Sequence, residues 1–200
     1  MIQHLRPAIV LMALFTLLTG VAYPLAITGL AAIVAPDAAR GSLLTRDGIV
    51  VGSALIGQNF SAPRYFHPRP SATSAPDPAD ASKTVDAPYN AANSSGSNLG
   101  PLSRKLIERV KGDVDALRRE GVSLIPADAV TTSASGLDPH VSPAAALMQV
   151  PRVAGERNLP QDRVRGLIEA HVEGPLFGIL GEPRVNVLLL NMALDQVRSP

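Results

Sequence analysis

The sequence predicts an α+β protein: a single N-terminal transmembrane helix followed by one extracytoplasmic domain of helices and strands joined by long polar loops. Three observations carry this reading. Residues 7–36 hold no charged side chain, and about twenty apolar residues are enough for a helix to cross a bilayer core. Beyond them, helical periodicity alternates with short β-branched runs bounded by turn residues. Between those segments, residues 68–98 and 131–140 are rich in Pro, Ser, Asn and Asp, with few large aliphatic side chains.

The anchor is read as a spanning helix over residues 7–36. A cleaved secretory signal has a shorter core of about 7–15 apolar residues and a small-x-small site; Ile33-Val34-Ala35 followed by Pro36 fits that badly. A buried soluble helix of this length would carry a polar face, and only Thr16, Thr19, Tyr23 and Thr28 interrupt the apolar run. Residues 1–6 form a short tail that stays in the cytoplasm, which places residues 37–200 outside. Pro24 lacks an N–H and frees the carbonyl of Gly20, permitting a kink. Small and hydroxylated residues let a second helix approach closely, so Thr16, Gly20, Tyr23, Pro24 and Thr28 are the expected subunit-interface positions.

The remaining length suits one soluble domain. Net charge is +1, with Lys and Arg spread along the chain, so there is no electrostatic footprint for nucleic acid. Cysteine is absent, which removes disulfides, thiol catalysis and thiolate metal sites together. Trp is also absent, so the core must be built chiefly from Leu, Val, Ile and Ala.

In chain order, two apolar runs around Asp47-Gly48 predict a β-hairpin, because Gly supplies the positive φ of a tight turn. Residues 68–98 cannot offset their ordering entropy by apolar burial and are expected as a long loop, mobile or held by a partner. Pro101 opens an amphipathic helix whose Leu102, Leu106, Ile107, Val110, Val114 and Leu117 share a face, with Gly121 as its stop. Ser142-Pro143 reads as an N-cap and first helical residue, with Pro151 kinking or ending that helix. Pro160 opens a further helix that carries Val164, Leu167, Ile168 and His171 on one side and stops at Gly174-Pro175. Residues 185–190 read as a buried strand, and residues 191–197 as a terminal turn or short helix.

Motifs for chemistry are sparse. No G-x-x-x-x-G-K-[ST], G-x-S-x-G or H-E-x-x-H occurs, and His4, His67, His140 and His171 are not at metal-ligand spacing. Asp138-Pro139-His140 offers a carboxylate and an imidazole for a metal or a triad, against ordinary Asp-Pro turn chemistry. His171 suits a hydrogen-bonded core or helix-end position. Asn93-Ser94-Ser95-Gly96-Ser97-Asn98 is dense in short polar groups that either contact an anion or bond within the loop.

Several longer stretches resemble one family. They are Thr19-Gly20-Val21-Ala22-Tyr23-Pro24-Leu25, Val51-Gly52-Ser53-Ala54-Leu55-Ile56-Gly57-Gln58-Asn59-Phe60, Arg69-Pro70-Ser71-Ala72, Ser97-Asn98-Leu99-Gly100-Pro101, Ser133-Ala134-Ser135-Gly136-Leu137-Asp138-Pro139-His140 and Leu180-Gly181-Glu182-Pro183-Arg184-Val185-Asn186. In order, they resemble the C subunit of the Kdp-type potassium-transporting ATPase along nearly the whole chain. The resemblance implies a non-catalytic accessory subunit of a high-affinity potassium uptake complex in the bacterial inner membrane, single-pass, with a periplasmic C-terminal domain. Its partners would be a channel-like potassium-translocating subunit, a P-type ATPase subunit and a small membrane subunit. The chain would have no cofactor of its own, ATP and Mg being handled by the ATPase subunit. The family is described as a catalytic chaperone that raises the ATP affinity of that subunit, with the serine-glycine loop, here Ser94, Ser95, Gly96, Ser97 and Asn98, as the proposed nucleotide contact. Where the family usually shows Ser-Gly-Gly-Ser, this chain has Ser94-Ser95-Gly96-Ser97. Three alternatives stay open: a cap at the potassium entrance of the channel-like subunit, an anchored periplasmic enzyme using Asp138 and His140 with a serine, and an anchored module that binds a small solute.

Overall fold

The computed structural model describes residues 2–197. It divides into two compact units, one ending at Ser53 and the other beginning at Ala54.

In the first unit, helix α1 (Ile2–Leu17) runs into a single π turn at Leu18–Ala22 and continues as α2 (Tyr23–Val34). Together they give an apolar helix of 32 residues, Gln3–Val34, none of whose membrane-length window is buried within the chain. The helix therefore includes most of the expected cytoplasmic tail, and Pro7 lies inside it. The π turn sits just before Pro24, where the Tyr23 N–H reaches back to Leu18 O; a wide turn is one way a helix accommodates a residue that cannot donate. A short helix α3 (Pro36–Ala39) leads to the expected hairpin, β1 (Leu43–Arg46) and β2 (Ile49–Ser53). Asp47 and Gly48 both have positive φ, +51° and +79°, the signature of a type I′ turn. The pairing shifts register between Leu44 and Thr45, and Ser53 Oγ donates to Gly41 O at 2.7 Å.

In the second unit, residues 68–98 contain an antiparallel pair that the sequence did not announce, β3 (Ser74–Pro76) and β4 (Thr84–Asp86). With three residues per strand and no apolar alternation, the pair leaves no periodic signal. Helix α4 (Arg104–Arg119) begins after Ser103, so Leu102 lies outside it, and Gly121 ends it at φ +86°. Its apolar side is only partly covered: the helix has no fully buried residue.

The core is built by α5 (Pro143–Met148), α6 (Val150–Arg157), α7 (Gln161–Ala170) and α8 (Val187–Gln196) around a small sheet. That sheet consists of β5 (His140–Val141), β7 (Arg184–Asn186) and β6 (Val172–Glu173), all antiparallel in that order. Phe66, Val150, Val153, Ile168, Leu190 and Leu194 are fully buried among them. Ser142 caps α5 by accepting the Ala145 N–H at 3.0 Å. Pro151 stands in the first turn of α6, ending one helix and starting the next. Helix α7 stops at Ala170, four residues before Gly174, because Val172 and Glu173 leave it to pair with β7.

The expected strand over residues 185–190 is corrected. Only Arg184–Asn186 is strand, and Val187 begins α8. Asn186 decides the switch by accepting the Leu189 N–H on its own side chain at 3.1 Å; an unbroken apolar run does not distinguish a buried strand from a buried helix.

Candidate functional site

The polar loops form a single knitted face of the second unit. Ser71 Oγ donates to Gly136 O at 2.8 Å and receives the Tyr89 N–H at 3.1 Å. Thr73, which is fully buried, donates to Ala87 O at 2.6 Å and accepts the Asn90 N–H at 3.1 Å. Residues 68–98, expected to be mobile or held by a partner, are thus held by the chain's own residues 131–138. The ordering entropy is offset by hydrogen bonds at close backbone approach rather than by apolar area. Glycines make that approach possible. A Cβ on Gly136 would meet Thr73 Cγ2 at 2.5 Å and Ser95 O at 2.7 Å, and one on Gly57 would meet the Tyr89 ring at 2.4 Å.

The serine-glycine loop belongs to this weave. Ser94 Oγ donates to Ser135 O at 3.0 Å, as does the Ser95 N–H. Ser95 Oγ reaches Ala72 O at 3.4 Å, and the Thr132 hydroxyl lies 3.4 Å from Ser97 Oγ. A Cβ on Gly96 would come within 2.6 Å of Ala134 O, so this is the glycine the packing requires, whereas the position occupied by Ser95 accommodates a side chain. Asn98 is exposed and takes a positive φ of +50°.

Asp138 and His140 come together without forming a triad. Asp138 Oδ2 is ion-paired to Arg69 Nη1 at 2.9 Å, and its Oδ1 accepts the His140 N–H at 3.0 Å. His140 Nδ1 lies 3.5 Å from Asp138 Oδ1 and Nε2 lies 3.8 Å from Glu173 Oε2. The nitrogen that would take a proton from a nucleophile faces a carboxylate instead. Among the described residues, no three His, Asp or Glu side chains are grouped to hold a metal. Burial, with Asp138 beside it, raises the Tyr89 phenol above its ordinary pKa, so it stays protonated and donates to Arg69 O at 2.8 Å. An open cleft of about 620 Å³ lies on this face, lined by Leu55, Ile56, Arg69, Ser133, Ser135 and Asp138 among others. Ser133 Oγ and Arg69 Nε are buried without a hydrogen-bonding partner among the described residues.

Sequence reasoning missed the residues that clamp the extended segment 65–67. Asn191 Oδ1 accepts the Phe66 N–H at 2.9 Å while its Nδ2 donates to Phe66 O at 3.0 Å. Gln149 treats His67 the same way, at 2.7 and 3.0 Å. Arg157 pairs with Asp195 at 2.7 Å and lies 4.8 Å over the Tyr65 ring. An amide inside an apolar run was the available signal, since a buried amide needs partners. His171 is a helix-end residue as expected, its Nδ1–H donating to Leu167 O at 2.8 Å.

On the anchor, Thr16, Gly20, Tyr23, Pro24 and Thr28 are all exposed, and Gly20 has open space where a Cβ would stand. In a straight α-helix, positions four apart drift by about 40° per step, and the extra residue of a π turn removes about 90–100° of accumulated rotation. Thr16, Gly20, Pro24 and Thr28 therefore fall near one line across the wide turn, and Tyr23 falls off it.

The comparisons with known proteins agree with one another. The family model described as "K+-transporting ATPase, c chain" matches residues 5–196. A "Potassium-transporting ATPase KdpC subunit" from Methylobacterium nodulans is 63% identical over 198 residues, 98% of each chain. Proteins of the same name from Rhodopseudomonas palustris and Bradyrhizobium diazoefficiens are 61% identical over 99% of this chain and 100% of theirs, and 60% identical over 100% of both. With matches of that extent and identity, this chain belongs to the family of potassium-transporting ATPase c chains.

Proposed function

We propose that the chain is a single-pass accessory subunit, without an active site of its own, of an ATP-driven potassium uptake complex in a bacterial inner membrane. The single observation that carries this reading is identity above 60% across the full chain to proteins named as subunits of that pump. The amino terminus lies in the cytoplasm and the second unit in the periplasm, in keeping with a long domain that follows the apolar helix. The partners are a channel-like subunit, a P-type ATPase subunit and a small membrane subunit. The anchor meets them along the line of Thr16, Gly20, Pro24 and Thr28, where small residues allow close helix packing.

An accessory subunit of this kind acts as a catalytic chaperone by raising ATP affinity in the hydrolysing subunit. Such an effect is a coupling free energy and needs no contact between nucleotide and this chain. The hydroxyls of Ser94, Ser95 and Ser97 already lie within hydrogen-bonding reach of loop groups, which favours coupling over direct contact. The hydrogen-bonded polar face also suits a cap over the potassium entrance of the channel-like subunit. A solute-binding module would use the cleft beside Arg69 and Asp138, whose opposite charges neutralise one another.

The test is to tag the C-terminus of the full chain, express it in potassium-starved cells and solubilise the membranes mildly. Co-purification of a P-type ATPase and a large channel-like protein, with potassium-stimulated ATP hydrolysis, is expected. Recovery of the chain alone in several mild detergents would overturn the reading. Gly20→Leu should lower recovery of the complex about tenfold, and Leu17→Ala should leave it nearly unchanged.

A further inference from the structure

Residues 174–181, Gly-Pro-Leu-Phe-Gly-Ile-Leu-Gly, contain no polar side-chain atom, yet they lie on the surface of the second unit. Leu176 is 62% exposed, Phe177 85%, Ile179 80% and Leu180 57%. Four large apolar side chains within five residues form a contiguous apolar knuckle of the kind that soluble surfaces rarely leave bare.

The knuckle is closed on itself. The Leu176 N–H donates to Leu180 O at 2.8 Å, and the Leu180 N–H donates to Leu176 O at 3.0 Å. The N–H of Gly178 donates to Pro175 O at 2.9 Å and that of Ile179 to Leu176 O at 3.2 Å. Phe177 and Gly178 hold positive φ, +55° and +76°, at the tip. The N–H groups of Leu176, Gly178, Ile179 and Leu180 therefore have internal partners, and these can enter an apolar site without being stranded.

The flanks decide what kind of site that is. Loops and helices that lie in a bilayer interface are bordered by Lys, Arg, Trp or Tyr. Here the borders are Glu173 and Glu182, and the nearby Arg184 is ion-paired to Glu173 at 2.9 Å. Arg184 offsets the charge of Glu173, but an anionic lipid surface would repel the Glu182 carboxylate, whereas an uncharged protein cleft with a polar or basic rim complements it. We propose that residues 176–180 are a docking knob that seats in an uncharged apolar cleft on another subunit of the same pump, with Phe177 and Ile179 as the anchoring side chains. This rests on the pump-subunit reading given above.

The test places the photo-crosslinking residue p-benzoylphenylalanine at position 177 of the full tagged chain, with Lys105 as an exposed control position. The expected result is a covalent adduct with a peptide of a pump subunit, at least about tenfold stronger from position 177 than from position 105. An adduct with lipid, or equal crosslinking from the two positions, would overturn the proposal. In parallel, Phe177→Ser/Ile179→Ser should lower recovery of the partner subunits about thirtyfold, as loss of anchoring contacts does. The thermal midpoint of the variant chain should be unchanged, because the substituted side chains touch water. If the wild-type chain brings down the pump and the variant does so equally well, the knob is wrong and the subunit reading stands. If the wild type brings down nothing, the subunit reading itself fails.

Discussion

Gly136 shows what a single position decides in this fold. Its φ of +68° and its distances to Thr73 and Ser95 leave no room for a side chain, so Gly136→Ala should cost about 3 kcal/mol of stability. Gly121, at φ +86° with nothing within 4 Å, should cost only about 1 kcal/mol on the same change. Urea denaturation of both variants in detergent micelles measures the difference. His67 makes a pH prediction at the same scale. Burial, and then the Arg152 guanidinium, hold its pKa below the ordinary 6.5, so the unfolded chain takes up a proton more readily than the folded one. Stability is then full above about pH 6.5 and is lost as pH falls from there through the folded pKa. The urea midpoint of the wild type should drop between about pH 7 and pH 5.5, and His67→Gln should flatten that slope.

Among the elements, the boundary between β7 and α8 rests on Asn186, which caps the helix and also donates to Ala54 O at 2.8 Å. Asn186→Ala should destabilise the domain by about 2 kcal/mol, since it removes a cap and leaves partly buried backbone groups unpaired. Hydrogen exchange should show faster opening at the amides of Val187, Leu188 and Leu189. Helices with a local start signal were legible: Ser142-Pro143 opens α5, and Gly121 ends α4. The end of α7 was not, because a residue four positions downstream looked like the stop while β7 drew Val172 and Glu173 into a sheet. The hairpin of β3 and β4 was hidden for a related reason: its strands bury almost nothing, so they imprint no alternation.

For the whole molecule, the apolar helix and the domain after it predict one membrane crossing. The chain contains no cysteine, so single-cysteine variants report topology directly. With Lys105→Cys, a membrane-impermeant maleimide added to intact spheroplasts should label the protein. With Gln3→Cys, labelling should require permeabilisation. The reverse pattern would place the domain in the cytoplasm and would remove the entrance cap from consideration.

Composition and local pattern alone determined the anchor, the Asp47-Gly48 hairpin, the amphipathic helix before Gly121 and the capped helix at Ser142, because each is specified by residues within one or two turns of each other. The runs that resemble the ATPase c chains pointed to the family for the same reason: they are contiguous. Tertiary structure decided how the two polar loops are held, through contacts such as Ser71 to Gly136 and Ser94 to Ser135 that join residues far apart in the chain. It also decided which amides clamp residues 65–67, that Asp138 and His140 face Arg69 and Glu173, and that residues 176–180 stand out from the surface. Those outcomes depend on which distant groups arrive to satisfy a buried donor or cover an apolar side chain, and no local period encodes that.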